Sequence, residues 1–547
     1  MRKIEFLHRE TGDLKGDRDL WNQDLQDVVR FIRPGTSDFL RELTRGESRH
    51  AEIYDGTALW ALEQFAAGIH SFNTSPTDRW FGLAVDDQEL MNDEEVREWL
   101  EKVSDIMFKE YGKPDVGFNQ SMHECYLDLG SLGTSVVYQE YDSDRNHIVF
   151  RTFPLASCYI RENFMGHVDT LYREMEMTVR QISQKFPDSN RFEKLKQKRP
   201  NDKLKIVHAV FPSGDNISNI IEGGFKHKTN KKFVSYWFCK ELDDGHEAEG
   251  GILSQGGFDE FPFHVPRWTK LAGEIYGRSP GRTALHDVRM LNSMARTIIQ
   301  KAEQVVNPSV EIEDDSVIGD IATGAGAIIW KEPGSAPITP INSGARLDIG
   351  MDIMASYKDQ VLKAFHVDWL LRQRKNERQT AFEVSDERDE KLRMMSPMLG
   401  RLQVELYGPL IKRTYRLLGD NGVFPDAPPQ IAEAGVSLDI YYTSPAARAQ
   451  KSNKALSVRK FIEELGLLAQ LNPDAIDILD VDETALAMAQ WGDISTRATR
   501  TPEQIMEVRS ARAANQARQQ QAENAPLEAD AVKKMAEARN ISAQTLV

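Results

Sequence analysis

The chain is predicted to be α+β and multi-domain, and three observations carry that prediction. Its 547 residues are more than one hydrophobic core accommodates, so two to four domains are expected. Up to about Lys270, helical apolar periodicity and short period-two segments share the chain. After that, a long helical pattern, a glycine- and proline-rich insert and a second helical pattern follow one another, the sequence signature of a two-helix stalk.

Composition narrows the function. Hydrophobic residues make up 40% and charged residues 28%, which places most of the chain among soluble globular proteins. Cys125, Cys158 and Cys239 form no CxxC pair, so a disulfide framework is not expected and a reducing compartment fits. Met1–Glu10 holds no apolar run of the secretory kind, and no stretch approaches a membrane span of about 18 apolar residues. The net charge of −16 argues against a surface built to grip nucleic acid, although an acidic protein can handle DNA that must slide past it.

Taken in order, Arg18–Arg33 reads as a helix with Leu25, Val28, Val29 and Ile32 inward and Pro34-Gly35 as its stop. Thr57–His70 is a second helix, and Trp80, Phe81 and Leu83 mark a strand of core residues. Glu94–Tyr111 and Asn119–Leu129 are helical, and Ser135–Tyr141 is a strand. His147–Tyr159 and His167–Glu176 alternate as strands around Gly166. Thr178–Phe186 is a short helix, and Lys205–Phe211 and Lys232–Cys239 are strands. Ser279 is placed to cap a helix with Pro280 at its first position; about 27 residues to Asn307-Pro308 would span roughly 40 Å. Leu347, Met351, Met354, Val361 and Phe365 mark the returning helix. Val436–Thr443 is a strand expected to rejoin the N-terminal sheet. Pro445–Leu471 and Ile476–Trp491 are helical, and beyond Thr501 a helical pattern poor in apolar residues reads as a partly ordered tail.

Catalytic signals are weak. His123-Glu124 lacks the second histidine of H-E-x-x-H, since position 127 is Leu. Asp243, Asp244, His246 and Glu247 could hold Mg²⁺ for a nuclease, but their glycine-flanked setting favours a solvated turn. GAGA at 324–327 is followed by no Lys-Ser/Thr, so it is no phosphate loop. No enzyme activity, cofactor or metal is expected.

The remaining long pattern, Arg378–Leu418, reads as one bent amphipathic helix. Leu392, Met395, Leu399, Leu402, Leu406, Leu410 and Leu417 line one face, and Pro397 and Pro409 are expected to kink it. Its wording is specific: Arg378, Thr380, Ala381, Glu383 and Val384, an acidic run, then Pro397, Gly400, Arg401, Leu402, Glu405, Leu406, Pro409, Leu410 and Ile411. With the blocks at 53–83, 150–186, 274–310 and 424–470, taken in this order, the chain resembles the portal (head-to-tail connector) proteins of short-tailed, podovirus-like bacteriophages, from about residue 18 to about 515.

The resemblance implies a wing at 1–275, a first stem helix at 276–306, a clip at 307–344 and a second stem helix at 345–367. It further implies a tunnel loop at 368–378, a long kinked helix at 379–420, a wing return at 421–444, a helical crown at 445–500 and a C-terminal tail or barrel at 501–547. By the same resemblance, Arg372, Arg374, Lys375 and Arg378 would face DNA. The chain would form a homo-oligomeric ring, a dodecamer, at one capsid vertex of the virion after assembly in the host bacterial cytoplasm. The partners it implies are the terminase large subunit, tail adaptor proteins, the major capsid and scaffolding proteins, and the double-stranded DNA in the channel, with no membrane. Two rival expectations stand beside it: a metal-dependent nuclease or packaging enzyme using the Asp243–Glu247 carboxylates, and an internal virion or ejection protein.

Overall fold

In the computed structural model of the chain, the described residues are 3–36, 38–40, 53–87, 90–91, 93–187, 199–214, 231–239, 251–306, 310–311, 333–334, 339–340, 347–370, 396–434, 438–443, 458, 460–466, 478–482, 484–485, 488, 500, 504–518, 533 and 535. They fall into two compact units. The first comprises Met1–Trp80 and Ile106–Phe424, with Ser444–Ala446; the second comprises Phe81–Asp105, Pro425–Thr443 and Ala447–Val547.

The first unit is built on an antiparallel five-stranded meander, Cys158–Glu162, Val168–Thr178, Lys203–Pro212, Phe233–Cys239 and Ile252–Phe258, each strand beside its predecessor. Register puts Tyr172, Ala209 and Tyr236 in one row. That face packs against Ile4, Phe6, Leu7 and Leu14 of the N-terminal helix, while Ile206 and Cys239 on the opposite face meet Val179, Ile182 and Phe186. The short helix there, Val179–Lys185, starts with a capping box between Thr178 and Gln181.

The N-terminal helix runs Lys3–Ile32, fifteen residues earlier than the pattern from Arg18 indicated. Gly12 and Gly16 weaken its local helical signal. Burial of four apolar side chains against the sheet overrides them, as does Arg18, whose guanidinium donates to the carbonyls of Leu155 and Cys158 at 2.9 Å each.

A second sheet, His147–Phe153, Val136–Asp142 and Phe263–His264, lies in the same unit, with Val136–Asp142 central. Helix Thr57–Asn73 packs on Phe118–Ser131. Trp80, Tyr111, Phe118, Phe150 and Tyr407 form an aromatic nest, with Tyr111 and Phe118 stacked at 4.3 Å.

The stalk helices are Pro280–Val306 and Leu347–Ala364. Gly350 faces Ile298, and eight residues later Lys358 pairs with Asp55, whose backbone N–H is held by Asn292. The two helices therefore run antiparallel. Most of the insert between them lies outside the described residues, Val310–Glu311 pairing with Thr339–Pro340 being described.

The long kinked helix is described from Ser396 on: Ser396–Leu402, a π-helical turn Gln403–Tyr407, then Gly408–Asp420. Pro409 has no N–H to give the carbonyl four residues back, and the wide turn sits where that bond is missing. The turn also corrects the expected apolar face. Leu399, Leu402, Leu406, Leu410 and Leu418 are buried, whereas Leu417 is only half-buried. Leu399 and Leu418 are 19 residues apart, against about 18 for five α-turns, and the π turn supplies the extra residue.

In the second unit, Leu438–Tyr442 pairs antiparallel with Phe81–Val85 in a two-stranded sheet. It thus returns to a strand of the N-terminal part, as expected, but in a two-stranded sheet of its own and not in the three- or five-stranded sheet. Gly82 fixes the pairing: a Cβ there would enter the Tyr441 ring. Trp99 donates its indole N–H to the Pro425 carbonyl at 3.1 Å, and Arg509 of the polar helix at 504–518 forks onto both oxygens of Asp482 at 2.6 Å.

Candidate functional site

The feature that this fold builds with most care is the root of the helical hairpin. Ser279 caps the outgoing helix as its position indicated: its hydroxyl accepts from the Arg282 N–H at 2.9 Å and donates to the Ser131 carbonyl at 2.5 Å. Glycines make this approach close enough. Gly133 has φ +81°, and a Cβ on it would lie 2.6 Å from the Gly277 carbonyl oxygen. A Cβ on Gly281 would lie 3.0 Å from the Gly130 carbonyl oxygen. The Gly277 N–H donates to the Thr134 hydroxyl at 2.7 Å, which pins the segment entering the hairpin.

Arg267 ties that root to the kinked helix. Its guanidinium is almost wholly buried and meets Glu405 through Nη2 at 2.7 Å and Nε at 3.1 Å, while its backbone N–H reaches the same carboxylate at 2.9 Å. Nη1 donates to Glu162, and Nη2 donates to the Gly166 carbonyl at 3.0 Å. Lys270 adds a second cation on Glu162 at 2.5 Å, and Arg401 approaches Glu405 at 3.3 Å. Three segments distant in sequence, 162–166, 267–270 and 401–405, are thus joined by charge-assisted bonds, with Glu405 on the π turn itself.

Along the hairpin, support falls away. The Arg282 guanidinium pairs with Asp24, and that of Arg289 with Asp27 at 2.5 Å, so the N-terminal helix braces the first turns. Beyond Ala295 no described side chain of the outgoing helix is buried, and none of the returning helix before Val361. Ile299, Val306, Met351 and Ile353 stand 44–86% exposed there. After Ala364, His366 takes a left-handed φ of +57° and redirects the chain into Val367–Leu370.

Among the sequence-predicted residues, Pro397 is exposed, Gly400 has nothing within 4 Å of where a Cβ would stand, and Pro409 is exposed beside the π turn. Arg372, Arg374, Lys375, Arg378, Thr380, Ala381 and Glu383 lie outside the described residues, as do Asp243, Asp244, His246 and Glu247. Among the described residues no group of three or more His, Cys, Asp or Glu is placed to hold a metal ion, and no helix is long and apolar enough to cross a membrane. Arg267, Glu162 and Lys270 carry no local sequence signal, because their partners lie more than a hundred positions away.

The comparisons with known proteins decide what this hairpin belongs to. Residues 7–497 match the model of the bacteriophage head to tail connecting protein family. The chain belongs to that family. The portal protein of Salmonella phage epsilon15 is 31% identical over 530 residues, covering 93% of this chain and 91% of that protein. A protein of Bordetella phage BPP-1 named "Probable portal protein" is 28% identical over 536 residues, covering 95% and 92%. A chain from the neck of an empty gene transfer agent particle aligns with a TM-score of 0.35 at 10% identity, over 78% of this chain and 93% of that one, too weak a likeness to bear on the fold. In this head-to-tail connecting protein, the clamped hairpin and the kinked helix thus belong to the segment that the family model spans.

Proposed function

We infer that this chain is the structural portal subunit. Copies of it form a ring at one capsid vertex, and double-stranded DNA is packaged and ejected through the ring. The observation that carries this reading is the match to phage portal proteins over almost the full length of both chains. The exposed apolar side chains on the distal hairpin support it, because a ring buries them between neighbours. The finer assignments rest on the family resemblance: a dodecamer; the hairpin as stem; residues 307–344 as the clip that docks the terminase large subunit and later the tail adaptors; and capsid and scaffolding proteins as assembly partners.

The mechanism is geometric and electrostatic. A ring repeats each lining residue into a circle of charge, and a chain of net charge −16 makes most such circles repel phosphate. Arg372, Arg374, Lys375 and Arg378 on the loop at 368–378 supply brief phosphate contacts that position the duplex or resist back-slip. Replacing Arg372, Arg374 and Lys375 with Gln should lower genome retention in particles; unchanged packaging, retention and infectivity would remove the loop from the mechanism. The vertex assignment is tested by gold-labelling a tagged chain in virions. One label site per particle supports it, and label on every vertex or in the interior contradicts it.

A further inference from the structure

Arginines recur every seventh residue along the outgoing helix Pro280–Val306, at Arg282, Arg289 and Arg296. Seven residues are close to two turns, so the three share one face. The first two are answered within the chain, Arg282 by Asp24 and Arg289 by Asp27 at 2.5 Å. Arg296 is exposed, its guanidinium lies 5.9 Å from the centre of the Tyr54 ring, and among the described residues no carboxylate pairs with it. On the returning helix Leu347–Ala364, Asp359 holds Lys363 at 2.6 Å. Asp352, seven residues before it and also exposed, meets no cation among the described residues.

The register of the hairpin places these two charges. Gly350 faces Ile298 across the contact between the two helices. Arg296 precedes Ile298 by two residues and Asp352 follows Gly350 by two, so each points about 200° away from that contact. Because the helices are antiparallel, both steps lead about 3 Å towards the root, and the two charges stand at one height. Arg296 is thus on the outer edge of the outgoing helix and Asp352 on the outer edge of the returning one, with both helices between them.

Every contact in a ring of identical subunits is heterologous, so one surface meets a different surface of the next copy. A positive edge and a negative edge at equal height suit such a contact, whereas pairing either edge with itself would oppose like charges. Met351 and Ile353, exposed on either side of Asp352, and Ile299, about 60° round the helix from Arg296, add apolar surface to bury. Nearer the root, the N-terminal helix already covers the arginine face through Asp24 and Asp27, which leaves Arg296 as the first rung that a neighbour can reach. We propose that Arg296 of each copy pairs with Asp352 of the next, so that the outgoing helix of one hairpin lies beside the returning helix of its neighbour. The proposal rests on the ring reading and names one contact within it.

The test is charge exchange in the full-length protein, with ring assembly read by sedimentation velocity. Arg296→Glu and Asp352→Lys, each alone, put like charges into every subunit contact. The concentration for half-assembly should then rise about tenfold or more. Both changes in one chain reverse the pair at every contact and should bring that concentration back to within about threefold of wild type. Arg296→Glu with Glu303→Lys restores the net charge on the same helix without a cation at position 352, and should stay defective. All of these changes fall on exposed side chains, so circular dichroism and melting of the subunit should match wild type. Normal assembly of either single variant, no recovery in the exchanged chain, or equal recovery with Glu303→Lys overturns the proposal. A wild type that forms no ring overturns the ring reading, and the pair falls with it.

Discussion

Replacing Arg267 with Met would remove the 2% exposed cation between Glu162 and Glu405 and leave them only the more exposed Lys270 and Arg401. Breaking a buried pair from one side costs about 3–5 kcal/mol, so urea denaturation should show a loss of that order. Arg267→Met combined with Glu405→Gln should lose less than the two single changes summed, because each removes what the other leaves unpaired. Gly133→Ala is a steric counterpart: at φ +81° its Cβ would drive into the Gly277 carbonyl, at a cost of about 2–3 kcal/mol in the same assay. His264 gives a pH signature. Burial, with Arg413 nearby, holds it down to about 3, while its Nε2 lies 2.8 Å from the Gln139 side-chain oxygen. Below pH 6.5 the unfolded chain takes up a proton that the native chain refuses, so this contribution is complete above pH 6.5 and is lost as the pH falls towards 3. Between pH 6.5 and 4.5 the wild type should lose about 2 kcal/mol more than His264→Gln. Equal losses would remove His264 from the pH dependence.

At the scale of elements, what could be read from the sequence follows from how local each cause is. The outgoing hairpin helix was legible to the residue, because Ser279, Pro280 and Asn307-Pro308 punctuate it and the bonds that cap it lie within three positions. The start of the N-terminal helix was not, since the sheet surface that outweighs Gly12 and Gly16 comes from strands up to Phe258. The π turn was half legible: Pro409 announced an irregularity, but the extra residue shows only in which leucines are buried. The strand Leu438–Tyr442 was legible as a strand and not in its partner, which Gly82 selects by leaving room for the Tyr441 ring. Of the candidate site, the motif residue Glu405 was in view, but its role depends on Arg267, 138 positions away. The distal hairpin yields its own prediction. Val306→Glu with Met351→Glu adds charge where no described side chain is buried, so the subunit should keep its circular dichroism and its melting behaviour as a monomer. Its rings should dissociate at concentrations where wild-type rings persist in sedimentation velocity, and unchanged assembly would place the subunit contact elsewhere.

For the whole molecule, the account joins family membership, a hairpin that is clamped at its root and carries exposed apolar side chains along its described distal turns, and an acidic chain whose basic loop is a small exception. The described residues supply a firmly tied mount at the hairpin root and exposed apolar surface along the hairpin, as a subunit of a ring needs. Net charge adds an expectation for binding. Affinity for double-stranded DNA should be weak even at low salt, because 84 acidic side chains outnumber 68 basic ones and the net charge of −16 opposes phosphate. Tight, steeply salt-dependent binding would contradict a channel through which DNA slides. The central claim is tested most directly by electron microscopy of the purified protein together with its mass in solution. The account predicts closed rings with an axial hole wide enough for a B-form duplex and a mass that is a whole multiple of the subunit. A monomer that cleaves DNA with Mg²⁺ would contradict it and would return attention to the Asp243–Glu247 carboxylates.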